Sequence, residues 1–459
     1  MQKREDIPVV LAADQNYINP LLVTIGSILI SASKETRYEI IILTDDTLDK
    51  QRIYELEKKF THVKFTIITM ENHLLNRAHI RNEGLSVFTY SRLFIPTLLS
   101  EYKKCIYLDT DLMVMDDLTR LYETDITQFY VAGVKDYGIQ MSGDKRILNS
   151  LEIPSMNNYI NAGVLLFNLE KIRNDGLDKL FLEGIGKKWF FEDQDIINKY
   201  CYSRIGFLPL RYNVFYRYFQ KIDFIEDGFY PEVEMQEAQE QPAILHFTGR
   251  NMKPWKYTRS RASKFWWEFA KEILSPEEYD KMQRLAEENM RSMSWEYILD
   301  ACKGREVVIW GFSDKGTALY DALRNANIPV VCFGDNDEKK SGQTYRGTEV
   351  VTLQKLLPDP KIGKYLFVIS SQAFFVAIEK QLRECGITDI IRYFNKNEYY
   401  YMALDEKYFD RECAEIRSKE KLEGDVWDAA LSEKYWMNRW LFYRRDSKKR
   451  DSQAENGRE

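Results

Sequence analysis

The sequence predicts an α/β protein in which two parallel-type sheets with helices on their faces are joined and followed by helical segments. Three observations carry this. At 459 residues the chain exceeds one ordinary core, so two or three domains are the natural division. Apolar residues make up 44% and aromatic residues 14%, the composition of a packed globular protein. Short apolar runs also alternate with stretches of helical apolar spacing, once near the N-terminus and again beyond residue 305, and that alternation is the mark of helices covering a parallel sheet.

In the first alternation Ile7–Ala12, Glu39–Thr44, Lys64–Ile68, Cys105–Leu108 and Tyr130–Val134 read as strands. Pro20–Ser33, Asp49–Lys59 and Ser86–Leu99 carry helical spacing between them. Residues 138–158 lack clear periodicity and read as a loop or an inserted acceptor-side segment. A strand over Gly163–Asn168 and a helix through Tyr200 follow, and then the aromatic stretch Trp255–Phe269 and the charged helical stretch Pro276–Met293. The second alternation places strands at Glu306–Trp310, Pro329–Phe333 and Tyr365–Ile369, with helices near Gly316–Asn325 and Phe374–Cys385. The expected domains are therefore 1–262, a helical connector 263–302, a smaller α/β domain 303–400 and a tail 401–459.

A net charge of −6 argues against nonspecific nucleic-acid binding. The six cysteines (Cys105, Cys201, Cys302, Cys332, Cys385, Cys413) include no C-x-x-C pair, which suits a reducing cytosol. Ile7–Ala13 is too short for a signal peptide, and the longest apolar run, Leu21–Ser31, is too short to span a bilayer. The expected location is cytoplasmic. The tail interleaves aromatics and cations over Lys434–Arg445 and Lys448–Arg450. Two readings stand for it: an amphipathic helix on the anionic inner face of a membrane, or a terminal helix docked by its aromatics on the protein.

The richest local signal is Asp109-Thr110-Asp111 inside the apolar run Cys105–Met115, which reads as a strand buried on both faces. Alternation along an extended backbone would turn both carboxylates to one side. Together they could hold a hard cation that keeps positions open for phosphate oxygens and water. Asp193/Asp195 and Asp335/Asp337 repeat the pattern, so context has to decide.

That context is an ordered series of segments: Ala12–Tyr17 (AADQNY), Tyr90–Leu93 (YSRL), Tyr107–Asp111 (YLDTD), Tyr159–Val164 (YINAGV), Glu192–Asn198 (EDQDIIN) and His246–Trp255 (HFTGRNMKPW). Over these segments the chain resembles the retaining glycosyltransferases of family 8, relatives of bacterial lipopolysaccharide galactosyl- and glucosyltransferases and of glycogenin. The resemblance implies a GT-A type fold for residues 1–262, a UDP-sugar donor, and a metal held by Asp109, Asp111 and His246. Imidazole among oxygen ligands favours Mn²⁺, with Mg²⁺ as the alternative. It further implies that Ala12, Asp14 and Asn16 face uracil and ribose, and that Lys253 and the adjoining Gly249 face the diphosphate. Arg92, Thr110 and Ala162 would contact the donor, Asp136 and Asn161 its sugar hydroxyls, Asp193 the donor sugar, and Gln194 the region of the anomeric carbon.

Plainer readings stand beside these. His246 could be a satisfied histidine at a strand end, Asp14 a helix N-cap, and Arg92 a partly buried partner of some carboxylate. Asn161 could be a turn residue, Lys253 a surface lysine, and Glu192–Asp195 an acidic first turn of its helix. Retention could proceed by double displacement or by front-face attack. A glutamine at position 194 is a poor nucleophile, which favours the latter, with Glu192 or Asp195 as nucleophile in the other scheme.

The implied function is transfer of a hexose, galactose or glucose, from a UDP-sugar to a glycan or glycoprotein acceptor, in bacterial surface-glycan or adhesin glycosylation. The oligomeric state is open. A nucleotidyltransferase would share the architecture and a carboxylate metal site, but not the His246 and Lys253 segment. A non-catalytic glycan-assembly scaffold would not need the full set of site residues.

In the second domain Ile309–Gly316 sits between strand and helix like a dinucleotide fingerprint, with Ser313 in place of its middle glycine. Asp335 lies where an acidic residue would suit a ribose hydroxyl. The domain resembles Rossmann-like add-on domains of bacterial surface-glycan enzymes, which implies acceptor recognition, assembly or partner binding, with nucleotide binding as the alternative.

Overall fold

The computed structural model describes residues 6–393 apart from 61, 72–74, 82–85, 142–143, 216–228, 249–252, 257–260, 293–294 and 372–373. Gly249 and the basic-aromatic tail therefore lie outside the described residues. The chain divides into two compact units, Met1–Lys256 with Trp266–Gln283, and Tyr257–Phe265 with Arg284–Glu459.

The first unit holds β1 (Ile7–Ala12), β2 (Tyr38–Thr44), β3 (Val63–Thr69), β4 (Lys104–Leu108), β5 (Leu112–Val114), β6 (Val131–Lys135), β7 (Ile160–Asn168), β8 (Ile205–Phe207), β9 (Val214–Phe215) and β10 (Ile244–His246). The main sheet runs β3-β2-β1-β4-β7-β6-β8, and a small second sheet runs β5-β10-β9. Strands β3, β2, β1 and β4 are parallel. Val9, Val10 and Leu11 of β1 are wholly inaccessible, as a strand covered on both faces requires. β7 is antiparallel to both β4 and β6, so the sheet is mixed and not purely parallel.

Three local expectations change. The apolar run Cys105–Met115 is not one strand: β4 ends at Leu108, and β5 pairs in the other sheet with β10. Asp109 to Asp111 form the passage between the sheets, and this passage, not strand alternation, brings the two carboxylates together. Thr24, buried on the helix Ile18–Ser31, fastens it by donating its hydroxyl to the carbonyls of Thr110 (3.0 Å) and Leu112 (2.9 Å). The segment predicted as the helix Ser86–Leu99 is a 3-10 helix over Val87–Phe94 with one α-turn over Ile95–Leu98. Pro96 has no N–H to close an α-helical bond on the Arg92 carbonyl, and the Ile95 N–H takes that carbonyl instead. Residues 138–158, read as a loop, include the short helices Tyr137–Met141 and Lys145–Leu151.

The stretch expected to be a helical connector forms the helices Arg261–Ile273, Pro276–Ser292 and Trp295–Cys302.

The second unit holds β11 (Val307–Trp310), β12 (Val330–Gly334), β13 (Thr344–Tyr345), β14 (Thr348–Val351), β15 (Leu366–Ile369) and β16 (Ile390–Arg392), in the order β13-β14-β12-β11-β15-β16. All pairs are parallel except the β13–β14 hairpin, and the parallel strands follow a doubly wound order. Val307 and Ile309 enter one core and Val308 and Trp310 the other, so β11 is covered on both faces. At the first turn Gly311 has φ +115°, and a side chain on Gly316 would collide with the Gly311 carbonyl. Two fingerprint roles for glycine, the tight turn and the close helix packing, are thus served. Asp335 is committed to the turn itself: it accepts from the Phe312 N–H (2.8 Å), the Asp337 N–H (2.9 Å) and Lys340 Nζ (3.0 Å).

No helix among the described residues is long and apolar enough to cross a membrane. Cys105, Cys201, Cys302 and Cys332 are buried free thiols and Cys385 is an exposed one.

Candidate active site

A cavity of about 480 Å³ opens beyond the carboxyl ends of β1, β4 and β6 in the first unit, the place where ligands enter open α/β sheets. Of the residues singled out from sequence, Ala12, Asp14, Arg92, Asp109, Thr110, Asp111, Asp136, Asn161, Gln194 and Lys253 line it.

At one end Asp109 and Asp111 of the wall and the buried His246, which is not on the wall itself, bring one potential ligand atom each to within 4.8 Å of one another. His246 Nε2 lies 3.2 Å from Asp111 Oδ1 and 3.9 Å from Asp109 Oδ2. Asp111 Oδ1 is buried and has no hydrogen-bond partner, an arrangement that costs free energy unless a cation or donor completes it. Two carboxylates and an imidazole suit a divalent first-row ion. Lys253 pairs with the other oxygen of Asp111 and donates to the Phe247 carbonyl (2.8 Å). Its ammonium holds the Asp111 carboxyl well below the usual carboxylate range, against the upward push of burial. β7 passes directly beneath: a Cβ on Gly163 would overlap the His246 ring and sit 2.9 Å from Asp109 Oδ2. Only glycine leaves room for the cluster there.

Arg92 is 5% exposed and acts as a hub. Its guanidinium donates to Asp109 Oδ1 (2.8 Å), pairs with Asp193 Oδ2 (2.9 Å), and reaches the carbonyls of Ala162 and Thr89. It also stacks on Tyr107, 4.5 Å from the ring centroid, and Tyr107 donates its hydroxyl to Asp109 Oδ1 (2.9 Å). Asp193 itself sits behind Arg92 rather than on the cavity wall, where Thr89 donates to it (2.5 Å). Burial pushes its carboxyl up to about 6 despite the guanidinium.

The opposite wall is a closed amide network. Gln194 Oε1 accepts from the Ala162 N–H (2.9 Å) and Asn161 Nδ2 (3.0 Å). Its Nε2 donates to Asp136 Oδ2 (3.2 Å) and Tyr159 Oη (3.3 Å). Tyr159 donates its hydroxyl to Asp195 Oδ1 (2.6 Å). Burial raises the Asp136 carboxyl, while the Ile139 N–H and the amides of Asn161 and Gln194 stabilise its anion.

Asn161 lies inside β7 and not in a turn before it. Glu192, at φ +41°, turns its carboxylate to the Arg81 N–H (2.9 Å), and Asp195 also accepts from the N–H groups of Phe190 and Phe191 (2.8 and 2.9 Å). Neither Glu192 nor Asp195 is on the cavity wall, and both stand in the acidic first turn of the helix Glu192–Cys201.

At the β1 end Asp14 does two things at once. It caps the turn Gln15–Tyr17 through the Asn16 N–H (2.9 Å), accepts from Ser86 (3.0 Å), and still faces the cavity. Asn16 is exposed and is not on the cavity wall.

Sequence reading missed Tyr17, Thr89, Tyr107, Tyr159 and Asn213. Burial and the nearby Asp111, Asp14 and Asp109 charges push the Tyr17 hydroxyl up to about 12, so it faces the cavity as a neutral donor. Tyr17, Tyr107 and Tyr159 stood within the quoted segments, and for Tyr17 and Tyr107 the nearby Asp14 and Asp109 were the available signal. Asn213 had no such signal.

Residues 8–259 match glycosyl transferase family 8, and residues 303–390 match the C2185-like, N-terminal family. Among curated proteins the chain is 26% identical to general stress protein A of Bacillus subtilis over 56% of its own length and 89% of that protein. It is also 26% identical to glycosyltransferase GlyB of Streptococcus pneumoniae over 56% of its own length and 60% of GlyB. Among solved structures it superposes on the galactosyltransferase LgtC in complex with donor and acceptor sugar analogues with a TM-score of 0.51 at 22% identity, over 60% of this chain and 100% of that one. The architecture of the first unit is therefore GT-A type.

Proposed function

The chain belongs to glycosyl transferase family 8, and on that premise we propose that it is a retaining, metal-dependent hexosyltransferase that moves galactose or glucose from a UDP-sugar to a glycan or glycoprotein acceptor. The observation that carries the reading is the convergence of Asp109, Asp111, His246 and Lys253 at one end of the cavity, with Asp111 Oδ1 buried and unpartnered. Bound there, Mn²⁺ or Mg²⁺ would neutralise the charge that develops on a departing diphosphate. Lys253 adds a point charge for the same phosphates, and Asp14 offers a carboxylate to the uracil N–H. Asp136 and Asn161 face the donor sugar.

Front-face attack fits the second wall best. Both lone pairs of Gln194 Oε1 and both protons of Nε2 are engaged, so the side chain offers no nucleophile. Glu192 and Asp195 are turned away from the cavity. In this scheme the acceptor hydroxyl attacks on the face the diphosphate leaves, and a donor phosphate oxygen takes its proton.

The test is a screen of UDP-sugars for UDP release with Mn²⁺ or Mg²⁺ present and then with EDTA. Release of UDP from a UDP-hexose, abolished by the chelator, is the expected result. Pyrophosphate as the product would favour a nucleotidyltransferase, and full activity in EDTA would overturn the metal assignment.

A further inference from the structure

One buried asparagine joins the candidate metal cluster to the amide wall, and hydrogen-bond logic decides which way each group points. The Gly163 N–H can only donate, and it lies 2.9 Å from Asn161 Oδ1, which fixes the orientation of that amide. Asn161 Nδ2 accordingly faces the acceptors Asp136 Oδ2 (3.2 Å) and Gln194 Oε1 (3.0 Å). The same Asn161 Oδ1 lies 2.9 Å from Asn213 Nδ2. Since that oxygen can only accept, Asn213 must present its NH₂ to it and its own Oδ1 to His246 Nδ1, 2.9 Å away. An acceptor at Nδ1 requires the ring proton there. A neutral imidazole carries a single N–H, so Nε2 keeps its lone pair and aims it between Asp109 and Asp111.

We infer that Asn213 is a positioning residue that fixes His246 as the Nδ1–H tautomer and so keeps Nε2 as the metal-ligating atom, while its amide ties the cluster to Asn161 and through it to Gln194. The inference rests on His246 being a metal ligand. The fold keeps the residue rigid for this task. Asn213 is 0% exposed, its backbone N–H bonds the Leu210 carbonyl (3.0 Å), and it precedes β9, which pairs with β10 so that Phe215 lies beside His246. A metal-bound histidine oriented through its other nitrogen is a general device, and losing such a partner costs about 10–100-fold in metal affinity.

The test uses the full chain with ¹⁵N-labelled histidine. Four histidines keep the spectrum simple, and His246→Gln assigns the signal. Above the histidine titration range the unsubstituted protein should show a protonated, pyrrole-like Nδ1 and a pyridine-like Nε2 at His246. Asn213→Leu should lose that pattern and weaken Mn²⁺ binding, measured by EPR of free Mn²⁺, by about 10–100-fold. Asn213→Asp keeps an acceptor at Nδ1 while losing the donor to Asn161, and should retain both the pattern and most of the affinity. An Nε2–H pattern in the unsubstituted protein, or an unchanged pattern in Asn213→Leu, would overturn the proposal. Unchanged Mn²⁺ affinity in His246→Gln would instead overturn the metal reading beneath it.

Discussion

Asp111→Asn is expected to lower UDP release from a UDP-hexose by about 10³-fold, roughly 4 kcal/mol of transition-state stabilisation. The substitution keeps the size of the side chain and removes its charge. One oxygen of Asp111 faces His246 Nε2 without a hydrogen bond, and the other pairs with Lys253. An amide at this position weakens the grip on a cation and leaves the Lys253 ammonium without its carboxylate. Both losses fall on groups assigned to the departing diphosphate, so kcat should fall and the Mn²⁺ requirement should rise. Steady-state kinetics across a Mn²⁺ titration read both. A variant with near-normal kcat and unchanged Mn²⁺ dependence would remove Asp111 from the metal site.

Arg92→Leu should destabilise the first unit by about 3–5 kcal/mol, because it strands buried carboxylates that the guanidinium now compensates. Asp193 is 3% exposed and Asp109 lies on the cavity side of the same guanidinium. The drop in melting temperature should be on the order of 10 °C. Arg92→Lys should recover little of it, since an ammonium cannot reach Asp109, Asp193 and two carbonyls at once. The deficit also has a pH signature. The Asp193 carboxyl stands at about 6 in the fold, above its ordinary value, and would rise further without Arg92. A group raised on folding holds its proton more tightly in the native state, so its contribution is fullest at low pH and is lost as pH rises through that range. Arg92→Leu should therefore be closest to the parent near about pH 4–5 and furthest from it above about pH 7. Adding Asp193→Asn should restore part of the loss. A change below about 1 kcal/mol at neutral pH would mean that the hub is not coupled as drawn.

Much of this site was legible because its chemistry is carried by local segments. Asp109 and Asp111 stood out as carboxylates in an apolar run, and Asp14 followed a strand where both capping and ligand contact were foreseeable. The reason the Asp109 and Asp111 carboxylates converge was not legible. It depends on β5 leaving the main sheet to pair with β10, a long-range choice that an apolar run does not announce. The antiparallel course of β7 was hidden for the same cause, since apolar strands look alike whichever way they run. The segment Ser86–Leu99 has helical apolar spacing but 3-10 hydrogen bonds over Val87–Phe94, and Pro96 is the residue in the sequence that marks the difference. Asn213 could not be seen at all. It sits in an ordinary stretch, Arg211–Val214, and acquires meaning only when folding places it between Asn161 and His246. In the second unit the turn after β11 was visible, but the commitment of Asp335 to that turn was not.

The configuration of the new bond tests the central claim most directly. With a UDP-α-hexose and Mn²⁺, ¹H NMR of the first product formed on a glycan acceptor, or on water before mutarotation, should show the α-anomer. A β-anomer would contradict retention, and with it the assignment of the Gln194 wall to front-face attack.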